Sequence, residues 1–125
     1  MNSIKIIILA MLLFSSPLFA KKCPMRVNVA LQLNTASNPR TPEVSDQAQR
    51  RVCIKSGGSV VFHRTGQGAN KGFSVFMKDG SWSMQGDNNS GEYTAPNVEQ
   101  TQELSYGVSM PDADEDLDPV IVIVP

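Results

Sequence analysis

Met25-Arg26-Val27-Asn28-Val29-Ala30-Leu31-Gln32-Leu33 decides the fold class. Its odd positions are all apolar and its even positions are Arg, Asn, Ala and Gln, the period of a strand buried on one face. Downstream, residues 34–50 are polar and carry Pro39 and Pro42, so they read as a long connection. Within it, Thr41-Pro42-Glu43 has the cap and first-turn residues of a short helix running to about Gln49. Arg51 to Lys55 reads as a strand, Gly57-Gly58 turns the chain, and Ser59 to Thr65 follows as its hairpin partner. After a flexible turn at residues 66–70, Phe73 to Lys78 is a strand, Asp79-Gly80 a tight turn, and Trp82 and Met84 lie on a short strand. Residues 86–91 are loop, and Glu92 to Ala95 is a short strand stopped by Pro96. Leu104, Tyr106, Val108 and Met110 share one face of a further strand. Asp112 to Asp118 is an acidic loop, and Val120 to Val124 is an unbroken β-branched run that suits a central strand covered on both sides. Seven or eight short strands with turns between them and little helical signal predict an antiparallel, all-β sandwich.

The chain has 125 residues, and its first 20 have the parts of a secretory signal. Lys5 is followed by an apolar stretch from Ile6 to Phe14, a Ser-Ser-Pro break, and a small residue at Ala20. Ile4 to Phe19 is too short for a membrane anchor, which needs about 20 apolar residues. The expected organisation is therefore a signal peptide over residues 1–20 and one β-sandwich domain over residues 21–125, with no membrane span remaining after cleavage. Cys23 and Cys53 are the cysteines of that domain. In an oxidising compartment an even pair forms one disulfide. A metal or redox pair is disfavoured, because there is no Cys-x-x-Cys and no further thiol to complete a tetrahedral site. The predicted location is periplasmic or secreted.

Charge is distributed unevenly. Residues 21–78 hold ten Lys/Arg and two acids, whereas residues 79–125 hold ten acids and no Lys or Arg. If the halves interleave in one sandwich, these charges pair across strands; if they segregate, one pole is acidic. An aromatic content of 6% and a pI near 5.7 exclude the basic, ring-studded surface of a nucleic-acid binder.

The order Ile54, Gly57-Gly58, Val60-Val61-Phe62, a Gly-rich loop, Val75-Phe76, Tyr106-x-Val108 and the closing Val120 to Val124 resembles a cupredoxin over about residues 51–125. The resemblance implies a Greek-key sandwich. It would place copper ligands near Gly72 or Phe73, at Ser109 or Met110, around Asp112 or Ala113, and near Leu117 or Asp118, none of which is the residue expected. A blue-copper centre needs two imidazoles and a free thiolate, and the chain has one His. The resemblance therefore extends to fold and not to a type-1 copper site.

Other chemistry is sparse. His63 with the thioethers of Met77, Met84 and Met110 is the donor set for a Cu(I)-handling alternative, although Met more commonly fills gaps in a core. Asp112, Asp114, Asp116 and Asp118 alternate as hard oxygen ligands for Ca²⁺ would, but the EF-hand spacing is missing and a solvated acidic loop is the simpler reading. No catalytic residues are identified, since the single imidazole has no motif around it and there is no Gly-x-Ser-x-Gly elbow. Asn88-Asn89-Ser90 forms a glycosylation sequon. The expected function is binding or interaction with a protein or small ligand in the cell envelope or outside the cell, without enzymatic activity and without a cofactor. Copper or calcium handling and a role as a surface-appendage subunit, assembled by strand donation, are the alternatives.

Overall fold

Alternating sequences give each strand one apolar face, and two such layers bury those faces against each other. The computed structural model describes residues 23–85 and 90–125. It contains nine strands: β1 (Arg26–Asn34), β2 (Thr41–Val44), β3 (Arg51–Lys55), β4 (Ser59–Arg64), β5 (Ser74–Met77), β6 (Ser83–Gln85), β7 (Ser90–Thr94), β8 (Gln102–Ser109) and β9 (Val120–Val124). One sheet has the order β2-β1-β4-β7 and the other β3-β9-β8-β5-β6. The all-β sandwich expected from the sequence is the fold observed. The reading of residues 1–20 as a signal peptide, and Asn88 and Asn89 of the sequon, lie outside the described residues.

Two pairings run parallel, β1 with β4 and β3 with β9, so both sheets are mixed. This corrects the expectation of purely antiparallel sheets and, with it, the reading of β3 and β4 as a hairpin. The Gly57-Gly58 turn reverses the chain but carries it from one sheet to the other. At that corner the Ser56 amide donates to Val124 O at 2.8 Å and the Ala95 amide donates to Gly58 O at 2.8 Å. A two-glycine turn specifies reversal, and pairing is decided by which strands already line each sheet. The expected helix at residues 41–49 is also corrected. Thr41–Val44 pairs with β1 as an edge strand, burying Pro42 and Val44, and the helical signal survives only as a 3-10 turn at Gln47–Arg50 capped by the Asp46 side chain. Proline is tolerated there because an edge strand leaves one row of amides unpaired.

The interior is filled by Val29, Leu31, Leu33, Val60 and Phe62 from one sheet and Ile54, Val75, Tyr106, Val108, Ile121 and Ile123 from the other. Phe62 and Tyr106 meet across the gap with ring centroids 5.4 Å apart, and Trp82 meets Tyr93 edge-on at 5.1 Å. Such ring pairs add about 0.5–1.5 kcal/mol beyond their buried area. The β9 run is covered on both sides as its composition predicts. Ile121 and Ile123 face the main core, while Val122 and Val124 pack with Cys23 in a second, smaller cluster.

Candidate functional site

The outer cover of β9 depends on the Cys23–Cys53 disulfide, with Cα atoms 5.0 Å apart. It ties the segment leading into β1 to β3 of the opposite sheet. A covalent link of this kind persists in an oxidising compartment.

Charge alternates across the sandwich. All five ion pairs among the described residues join a base of residues 21–78 to an acid of residues 79–125: Arg26–Glu92, Arg40–Asp114, Arg51–Glu103, Arg64–Asp112 and Lys78–Asp118. The opposed halves of the sequence interleave. Four of these pairs are exposed and contribute little to stability. The fifth is different.

Arg64 ends β4 on the face shared by Val60 and Phe62, so strand alternation carries its guanidinium inward. Its side chain is 0% exposed and that of Asp112 only 12%. Arg64 Nη2 donates to Asp112 Oδ2 at 2.7 Å and to Gln67 O at 3.1 Å, and Nη1 donates to Gly72 O at 2.8 Å. One buried cation thus gathers residues 65–73 and the loop after β8 at one end of the sandwich. The hydrogen bond from Arg64 holds the Asp112 carboxyl below its usual range, and the nearby Lys71 charge acts in the same direction. Gly68 completes the knot. Its φ of +73° lies in the left-handed region, and a Cβ there would stand 2.5 Å from Asp112 Oδ2 and 2.6 Å from Arg64 Nη2.

Beside this knot lies an open cleft of about 330 Å³, lined by residues that include Lys71, Gly72, Phe73, Ser74, Gln85 and Ser109. That volume is at the lower end for small-ligand sites, about 300–1,000 Å³. The cleft wall is predominantly polar, with amide and hydroxyl side chains from β5, β6 and β8.

The residues singled out from the sequence are dispersed. His63 is half-buried on the outward face of β4, between Ala30 and Ser90 in the strand registers. Met77 and Met110 are buried in the core, and Met84 packs against its edge. The imidazole and the two interior thioethers therefore point to opposite sides of a sheet or into the interior and do not form one donor set. Of the alternating aspartates, Asp112 is held by Arg64, Asp114 accepts from the Arg40 amide at 2.9 Å, Asp118 pairs with Lys78, and Asp116 is exposed. Among the described residues no three His, Cys, Asp or Glu side chains are grouped as a metal ion would require. No helix among them is long and apolar enough to cross a membrane.

The feature missed from sequence is Arg64. The signal was present, because the parity that sends Val60 and Phe62 inward also sends residue 64 inward, and a buried arginine requires an acid elsewhere in the chain. The chain matches no protein-family model and no curated protein.

Proposed function

We propose that this chain is an exported, non-enzymatic binding protein of the cell envelope or extracellular space, cupredoxin-like in topology and without a type-1 copper centre or other cofactor. The observation that carries the binding reading is the polar cleft braced by the buried Arg64–Asp112 pair. A buried guanidinium–carboxylate pair contributes little net stability compared with a well-packed pair of apolar side chains. Its use here is to fix two loops in register at the mouth of the cleft, as a preorganised site requires. Export is supported by the disulfide in a small β domain and by the leader-like residues 1–20. The topological likeness is supported by the two parallel pairings within mixed sheets. It is also supported by the way positions the resemblance assigns to copper ligands gather at one end, with Gly72, Phe73 and Ser109 lining the cleft and Asp112 behind it. A guanidinium–carboxylate pair occupies that pole, and with one His in the chain and both Cys joined, the residues for a blue-copper site do not exist.

Two measurements test this reading. Expressed in a bacterium with residues 1–20 in place, the protein should be recovered outside the cytosol, starting at Lys21 and with no alkylatable thiol. Recovery from the cytosol with two reactive thiols would overturn export. A mixed library of small polar fragments should shift backbone amide resonances of residues 70–74, 85, 109 and 110, and shifts scattered over the rest of the sandwich would overturn the cleft as the binding site.

A further inference from the structure

We infer that the cleft takes a saccharide, and that it prefers an acidic sugar to a neutral one. This inference rests on the reading of the cleft as a binding site and specifies its ligand class. Ser74 of β5 stands opposite Gln85 of β6 on one side and Ser109 of β8 on the other. Their neighbours Val75, Met84 and Val108 point to the core. Alternation therefore places Gln85, Ser74 and Ser109 in one row across three strands, on the face turned away from the interior.

The chemistry of that row is selective. Hydroxyls and carboxamides both donate and accept, and a sugar hydroxyl does the same, so each contact can be satisfied in either direction. An inorganic anion engages chiefly the donors of this row, whereas a sugar hydroxyl uses its donors and acceptors alike. The next row along the same face is Ser83, Phe76 and Gly107. The Phe76 ring lies over Gly107, where a Cβ would come within 2.2 Å of it. A half-buried ring two residues along β5, roughly 7 Å from the polar row, offers a flat apolar surface to the C–H face of a pyranose. Lys71 supplies the charge in the lining. An exposed ammonium paired with one carboxylate adds affinity of about 1.5- to 5-fold, which sets the expected margin of acidic over neutral sugars.

The test uses the full oxidised chain and amide chemical-shift titration with maltotriose, N,N′,N″-triacetylchitotriose, trigalacturonic acid and inorganic phosphate. Trigalacturonic acid and at least one neutral trisaccharide should shift Ser74, Gln85 and Ser109, the acidic sugar binding about 1.5- to 5-fold more tightly. Lys71→Gln should remove that margin, while Gln85→Ala and Phe76→Leu should weaken both sugars with the rest of the spectrum intact. Phosphate shifting these amides while all three sugars leave them unmoved would overturn the inference. If fragments of other chemistry still map to the cleft while the sugars do not, the ligand class is wrong and the binding reading stands. If every probe leaves the cleft unmoved, both fall together.

Discussion

Replacing Asp112 with Asn leaves the shape of the knot nearly unchanged but strands a guanidinium whose side chain is 0% exposed. Breaking a buried ion pair from one side costs about 3–5 kcal/mol, because the remaining charge stays desolvated. A domain of this size is stable by about 5–15 kcal/mol, so Asp112→Asn should remove about a fifth or more of the total and lower Tm by more than about 10 °C. Arg64→Met should cost less, about 2–3 kcal/mol. The stranded carboxylate is 12% exposed and reachable by water, and the main loss is the donor to the Gly72 and Gln67 carbonyls, at ~1 kcal/mol each. The double variant Arg64→Met/Asp112→Asn has no buried charge and should be no less stable than Arg64→Met alone, a departure from additivity of at least ~3 kcal/mol. Acid should show the same pair. The folded-state pKa of Asp112 is depressed, so its contribution is present above the unfolded value near 4 and is lost as pH falls through the folded one. Urea unfolding of the four proteins at pH 7, repeated between pH 5 and 2, measures both effects. Single variants that each cost under ~1 kcal/mol and add linearly would refute the reasoning that the pair is desolvated and braces the loops.

Three further outcomes follow from the packing. Gly107→Ala drives a methyl group into the Phe76 ring and should cost about 1–3 kcal/mol; combining it with Phe76→Ala should recover part of that loss, and no recovery would place the strain elsewhere. The Tyr106 hydroxyl is buried without a partner, so Tyr106→Phe should be neutral or up to ~1 kcal/mol more stable in thermal melts. Burial pushes the phenol pKa up, so the native protein should lose stability as pH rises above about 10, where the unfolded chain ionises, and the Phe variant should lack that component. Reduction and alkylation of Cys23–Cys53, which lie 30 residues apart, should lower unfolding free energy by about 3–4 kcal/mol, and a change below ~1 kcal/mol would show that the covalent link is redundant with packing.

The residues that encode the fold most legibly are those whose burial is decided by their own strand. Val29, Leu31 and Leu33 alternate and are buried as alternation requires, and the Val120–Val124 run is covered on both faces as an unbroken apolar stretch requires. Less legible is anything decided by a partner far along the chain. Gly57-Gly58 announces a turn whether the strands it joins pair or diverge, so the parallel partners β1 and β9 were hidden. Thr41-Pro42-Glu43 has helical capping chemistry, but the gain from burying Pro42 and Val44 against β1 outweighs a local preference of a few tenths of a kcal/mol. The cleft was invisible for the same reason, since Ser74, Gln85 and Ser109 are unremarkable singly and become a row only through the registers of β5, β6 and β8.

The placement of β9 also determines when the molecule can close. This strand is not added to a finished sheet, because it lies between β3 and β8 and gives β3 its only sheet neighbour among the described strands. A nascent chain that has emerged only to about residue 110 has β3 without its pairing edge, and Arg64 and Lys78 without the acids of the following loop. Over residues 21–110 such a chain holds ten Lys/Arg against seven acids, and with the β3 edge unpaired it lacks the strand that completes the second sheet. The order of strands along the chain therefore postpones closure of the second sheet until β9 is in place, and on the export route proposed above such a delay would keep the polypeptide threadable through a translocation channel.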